Sequence, residues 1–124
     1  MPLCLSTGAV VAVLAIESFT LAWTHSIEKI RWEEDWRIEA GRLRIVEARI
    51  RGSGAGMEPP AGAMLENGVW RYAPRLAPLE RLRLANSDFT AGYELCVEHR
   101  CRPLAELAGS AENQPLELHA CEGK

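Results

Sequence analysis

Of the four cysteines in this chain, Cys4 stands near the start and Cys121 near the end, while Cys96 and Cys101 flank the short insert Val97-Glu98-His99-Arg100. Four cysteines allow three connectivities, and geometry ranks them. Cys96 and Cys101 come opposite one another if Glu98-His99 is a two-residue turn, where a cross-strand bridge is sterically reasonable. Cys4 and Cys121 then tie the first strand to the last, closing a loop for which chain entropy gives about 4 to 5 kcal/mol. Such bridges belong to an oxidising compartment. The competing readings are free buried thiols and a zinc site using Cys4 with His99 or His119. Zinc ranks last because structural zinc sites usually present two close ligand pairs, and the close pair here has four intervening residues.

The 124 residues read as one domain, 1–124, with a core of its own, since chains of about this size bury roughly two-thirds of their unfolded surface. The formal charge is −3, from 14 basic and 17 acidic residues interspersed along the chain. There is no basic stripe of the kind that binds phosphate backbones, so nucleic acid is not an expected partner. The apolar run from Gly8 to Ile16 is nine residues long, short of the roughly 18 that a spanning helix needs. Nothing before Lys29 is basic, so a clear signal peptide is not evident. Residues 1 to 26 are read as part of the mature fold, with an atypical export signal or signal anchor as the alternative.

Pro, Gly and charged residues punctuate the chain at short intervals, which favours strands over helices. Val10 to Ile16 fits a buried strand, and Phe19, Leu21 and Trp23 alternate with Thr20, Ala22 and Thr24. From Lys29 to Glu39, Ile30, Trp32, Trp36 and Ile38 share one face, while Arg31, Glu33, Asp35 and Arg37 share the solvent face. Ala40-Gly41 suits a two-residue hairpin turn, in which Trp36 faces Ile45 and Glu34 faces Glu47. Leu43 and Ile45 keep the core phase, but Val46, Ala48 and Ile50 shift it by one, which predicts a β-bulge near Ile45 or a strand buried on both faces. Asn67-Gly68 is the strongest hairpin signal. Further strands are predicted at Val69 to Tyr72, Leu82 to Ala85, Tyr93 to Val97 and Leu116 to Ala120, with a turn or two of helix in Leu104 to Ala111. The fold class expected is all-β, a compact antiparallel β-sandwich or partly open β-barrel with at most one short helix.

Glu34 is the anomaly, a carboxylate in core phase between Trp32 and Trp36 that must be paired, hydrogen-bonded or protonated. Pairing with Glu47 would raise the proton affinity of both unless a cation such as Arg49 lies between them, and a Glu34–Arg49 ion pair is the bland reading. His25 follows the interior phase of its strand, a position that is structural in most proteins but from which an imidazole can bind a metal or accept a proton. Ser26 falls on the other side of the strand, which disfavours a Ser-His pair. The glycine-rich turn at Gly54 and Gly56 offers backbone N–H groups to an anion, although it lacks the Lys and Ser/Thr of a phosphate loop.

The segments Thr24-His25-Ser26-Ile27-Glu28-Lys29, Trp32-Glu33-Glu34, Leu43 through Ile50 and Gly54-Ala55-Gly56-Met57, with Leu95-Cys96 and Cys101, resemble an uncharacterised bacterial and archaeal family. That family is known as domain of unknown function eighteen-fifty. The resemblance implies an accessory role beside the fused membrane subunits and TAXI-type solute receptors of tripartite ATP-independent periplasmic (TRAP) transporters, in uptake of a small organic acid. It carries no catalytic residues over.

The expected function is therefore a non-enzymatic adaptor or small-ligand-binding module of such an uptake system, periplasmic or otherwise extracytoplasmic. Its ligand-binding patch would comprise His25, Ser26, Glu28, Glu34, Glu47, Arg49, Gly54 and Gly56, with no cofactor. The expected partners are the transporter's membrane subunit, its TAXI-type receptor or a small organic acid. The alternative is a metal-dependent enzyme or metal-binding protein in which His25 and nearby carboxylates hold a divalent cation. Binding ranks above catalysis because the strand phases bring no nucleophile and base together.

Overall fold

A computed structural model describes residues 1–24, 30–51, 62–84, 92–107 and 115–122. Among these, strands β1 (Leu3–Thr7), β2 (Ala9–Leu14), β8 (Leu82–Leu84) and β11 (Leu116–Ala120) form a four-stranded sheet in the order β2-β1-β11-β8. Strands β3 (Ser18–Thr24), β4 (Arg31–Glu39), β5 (Arg42–Arg51), β6 (Met64–Glu66), β7 (Val69–Tyr72), β9 (Glu94–Val97) and β10 (Arg100–Pro103) form a second sheet in the order β10-β9-β3-β4-β5-β7-β6. One helical turn, α1 (Leu104–Leu107), follows β10. The named pairings are antiparallel and the sheets do not close into a barrel, so the all-β sandwich expected from the alternation is what the chain forms. None of the described helices is long and apolar enough to cross a membrane.

The core lies where period-two alternation on the two sheets meets. Leu3, Leu5, Leu116 and Leu118 from the smaller sheet pack with Phe19, Leu21, Trp36, Leu43, Ile45 and Leu95 from the larger. Leu104 of α1 is buried with them. The isolated bridge between Leu43 and Leu79 carries backbone hydrogen bonds of 2.8 and 2.9 Å and ties the strand-free stretch after β7 to β5.

Two-residue turns set the register of the large sheet. Ala40 and Gly41 both have positive φ, as do Asn67 and Gly68, which is the condition for turns whose twist matches that of the flanking strands. The first places Trp36 opposite Ile45, as expected from sequence. Beyond that pair the ladder shifts at a bulge, and Val46 is the extra residue, exposed rather than in core phase. Past the bulge Ala48 and Ile50 turn inward. Asp35 therefore faces Glu47, Glu33 faces Arg49 and Glu34 faces Ala48, which corrects the expected Glu34–Glu47 pairing.

Both disulfides pair as geometry ranked them. Cys4–Cys121 joins β1 to the end of β11, and Cys96–Cys101 spans a directly opposed pair on β9 and β10. Its hairpin turn is Glu98-His99, with φ of 51° and 68°.

Candidate functional site

Once the bulge has reset the phase of β5, the odd-numbered residues Glu47, Arg49 and Arg51 point away from the core, alongside Arg31, Glu33 and Asp35 of β4. Arg49 is the centre of this outer face. Its Nη1 and Nη2 donate to the two oxygens of Asp35 at 2.6 and 2.8 Å, a bidentate fork. The same guanidinium donates from Nε to Glu33 at 3.2 Å and from Nη1 to Glu47 at 3.1 Å. Arg51 and Arg31 add bonds to Glu33 at 2.8 and 3.2 Å, and Arg71 reaches Glu47 at 3.4 Å. Thr20 donates its hydroxyl to Asp35 at 2.7 Å, and Arg31 extends the lattice to Glu94 at 2.9 Å.

This arrangement fixes the charge of its members. Hydrogen bonding to Asp35, partly opposed by burial, makes the Arg49 guanidinium still harder to deprotonate. Burial alone would raise Glu33, but its bonds from Arg51, Arg31 and Arg49 hold it below the usual carboxylate range. Asp35 behaves likewise, with burial outweighed by Arg49 and Thr20. The side chains of Arg49 and Glu33 are each 13% exposed, so much of this pairing is shielded from solvent screening. A broad groove of about 920 Å³ runs over this face, lined by Thr20, Glu33, Asp35, Arg49, Arg51 and Arg71, with the Cys96–Cys101 hairpin on one flank.

Glu34 belongs to the opposite face. Trp36, 2% exposed in the core, donates its indole N–H to Glu34 Oε1 at 3.2 Å. A buried indole needs an acceptor, so the core-phase carboxylate has a structural use. Burial pushes Glu34 above the usual carboxylate range, and the Trp36 bond only partly offsets it. The surroundings are aromatic: Trp23 and Trp32 stack with centroids 6.1 Å apart, and Trp23 meets Tyr93 at 5.5 Å. Burial and then the Glu34 charge raise Tyr72 and Tyr93.

The expected patch is therefore divided. Glu47 and Arg49 meet on the outer face, whereas Glu34 lies across the sheet from both and makes no ion pair with Arg49. His25, Ser26, Glu28, Gly54 and Gly56 lie outside the described residues. Glu33, Asp35, Arg31, Arg51, Arg71 and Thr20 join the site, although alternation alone marks them only as solvent face or ordinary strand. The signal for them was present in the alternation of acids on β4 with arginines on β5, but it becomes a pairing only after the bulge is placed. Among the described residues, no group of three or more His, Cys, Asp or Glu is arranged to hold a metal ion.

The family model described as "Domain of unknown function (DUF1850)" matches residues 19–104, which span β3 to the start of α1. The chain belongs to this family. The DUF1850 match thus takes in the Arg49 lattice, the Glu34 face and the Cys96–Cys101 hairpin, and leaves out β1, β2 and β11. No curated protein and no solved structure matches the chain.

Proposed function

We propose that this DUF1850 domain is a non-enzymatic accessory module of a tripartite ATP-independent, TAXI-type solute uptake system, working outside the cytoplasm as an adaptor or small-ligand binder. The observation that carries the reading is the lattice centred on Arg49, which makes the groove floor a fixed pattern of alternating charge. Carboxylates held below their ordinary range are poor proton acceptors at neutral pH. The same fixed pattern suits docking, because complementary charge steers a partner and sets its register. Arg51 and Arg71 on the groove lining are paired with Glu33 and Glu47 yet 48% and 40% exposed, so each can also present its outer edge to an acidic partner surface or a carboxylate ligand.

Two disulfides support an extracytoplasmic site of action, since such bonds persist where the environment oxidises thiols. The likeness of the chain to proteins encoded beside TAXI-type transporters supplies the choice of partner.

Thermal unfolding of the oxidised protein tests the reading, because any selective binder of the native state raises the midpoint. The panel is small dicarboxylates, amino acids, divalent metals with a chelator control, and the purified receptor and membrane subunit. A rise with one organic acid or with a transporter component is expected. A rise with a metal alone, reversed by the chelator, would contradict it.

A further inference from the structure

We propose that Cys96–Cys101 is a thiol–disulfide exchange site that takes an external dithiol, and that its reduction releases the edge strand β10 while Cys4–Cys121 keeps the sandwich closed. This goes beyond the transporter reading and stands without it.

Access separates the two bridges. Cys101 is exposed on β10 and borders the groove, so an incoming thiolate reaches its sulfur from solvent. Each bridge has one buried member, Cys96 at 7% and Cys4 at 2% exposure, but the second member of the longer bridge, Cys121, is half-buried with its sulfur against the Pro2 carbonyl, where Cys101 is open.

The turn that joins β9 to β10 is made of the wrong residues for its shape. Glu98 and His99 both occupy the left-handed region, at φ of 51° and 68°. A type I′ turn needs this at both positions, and Asn-Gly supplies it at little cost. Side chains with a Cβ resist it, Glu98 more than His99, because His is among the residues enriched in the left-handed region and Glu is not. The bridge holds this hairpin closed, and bridges that are exposed or strained are the labile ones.

Among the described residues, little beyond the Arg31 bond to Cys101 otherwise holds β10. Its four residues are all exposed, and among the described strands its neighbour is β9 alone. The next fixed point is Leu104, 1% exposed, whose N–H donates to the Tyr93 carbonyl at 2.8 Å. Release is thus confined to the residues between Val97 and Leu104.

The chemistry balances within the chain and one dithiol. A thiolate of the dithiol attacks Cys101 Sγ, the S–S bond breaks, and Cys96 leaves as a thiolate that takes up a proton. The second thiol of the reductant then attacks its own sulfur in the mixed disulfide and displaces Cys101. That leaving sulfur lies 3.8 Å from Arg31 Nη2, and a guanidinium favours the thiolate. The dithiol ends as a disulfide, oxidised by two electrons, and both cysteines end reduced.

The test equilibrates the full oxidised chain in buffers of reduced and oxidised dithiothreitol, followed by alkylation and peptide mass spectrometry. Half-reduction of Cys96–Cys101 is expected at a reduced-to-oxidised ratio at least tenfold below that for Cys4–Cys121, with the near-ultraviolet dichroism of the tryptophans retained. Joint opening of both bridges, or Cys4–Cys121 opening first, would overturn the proposal. The double variant Glu98→Asn/His99→Gly, which relieves the turn without threatening the fold, is expected to raise the ratio for Cys96–Cys101 at least threefold. An unchanged ratio would also overturn it.

Discussion

Glu34 and Asp35 are neighbours in sequence and titrate in opposite directions, because β4 sends Glu34 to the aromatic inner face and Asp35 to the Arg49 fork. Asp35 is depressed in the fold, so the stability it contributes is present above the unfolded carboxylate range near about pH 4 and is lost as pH falls through its folded value. Glu34 is raised, so its ionised form is disfavoured by folding, and that disfavour grows as pH rises from the unfolded value through the folded one. Asp35→Asn should cost about 1 to 2 kcal/mol at pH 7, after allowance for partial exposure, with the difference shrinking in acid. Glu34→Gln, whose amide oxygen still accepts from Trp36, should stabilise by under about 1 kcal/mol at pH 7 and by nothing below about pH 4. Urea unfolding of the two variants across pH 3 to 8 measures both.

Arg49 is the shared partner of Glu33, Asp35 and Glu47. Arg49→Ala leaves three carboxylates together without their common cation; because Asp35 and Glu47 are each 33% exposed and Arg51 and Arg71 remain, the loss should be about 2 to 3 kcal/mol, below the full cost of breaking a buried pair. Arg49→Lys should recover less than half of that loss, because one ammonium cannot reproduce a fork that serves Asp35 bidentately and Glu33 at the same time. Midpoints of chemical unfolding for the two variants check the ordering.

The bulge makes adjacent residues of β5 respond differently. Ile45 is 6% exposed in the core and Val46 is 40% exposed beside it. Val46→Glu should change stability by no more than about 0.5 kcal/mol, as surface substitutions do. Ile45→Glu buries an unpaired charge and should abolish cooperative unfolding. Equal effects of the two would contradict the register described for β4 and β5.

The bridges should differ in what they contribute to stability. Cys4–Cys121 closes 117 residues and Cys96–Cys101 only five. By chain entropy the first is worth about 5 kcal/mol and the second about 2 kcal/mol. Unfolding of Cys4→Ala/Cys121→Ala against Cys96→Ala/Cys101→Ala, each with the other bridge intact, compares them.

Local chemistry was readable from sequence wherever one short segment contained the whole reason. Ala40-Gly41 and Asn67-Gly68 mark their own turns, and the spacing of Cys96 and Cys101 implies the hairpin between them. The two-sheet fold followed from alternation, because Phe19, Leu21, Trp36 and Leu43 identify their buried faces without help. The site was harder to read. The phase change after Ile45 marks a bulge without saying which residue it inserts, and one residue of slip moves a whole set of side chains to a different partner. Alternation without the bulge sets Glu34 against Glu47 and Arg49, whereas the partner it serves is the indole two residues along its own strand. The lattice of Arg49 with Glu33, Asp35 and Glu47 depends on strands brought together by that same register, so no single segment announces it.

The most direct test of the proposed accessory role is the affinity of the oxidised domain for the transporter's purified membrane subunit in nanodiscs and for its TAXI-type receptor, measured at low and high salt with wild type and Arg71→Glu. One of them is expected to bind, more weakly as salt rises, and Arg71→Glu, folded by its dichroism, to bind at least tenfold more weakly. Binding to neither at low salt, with no organic acid raising the unfolding midpoint, would contradict it.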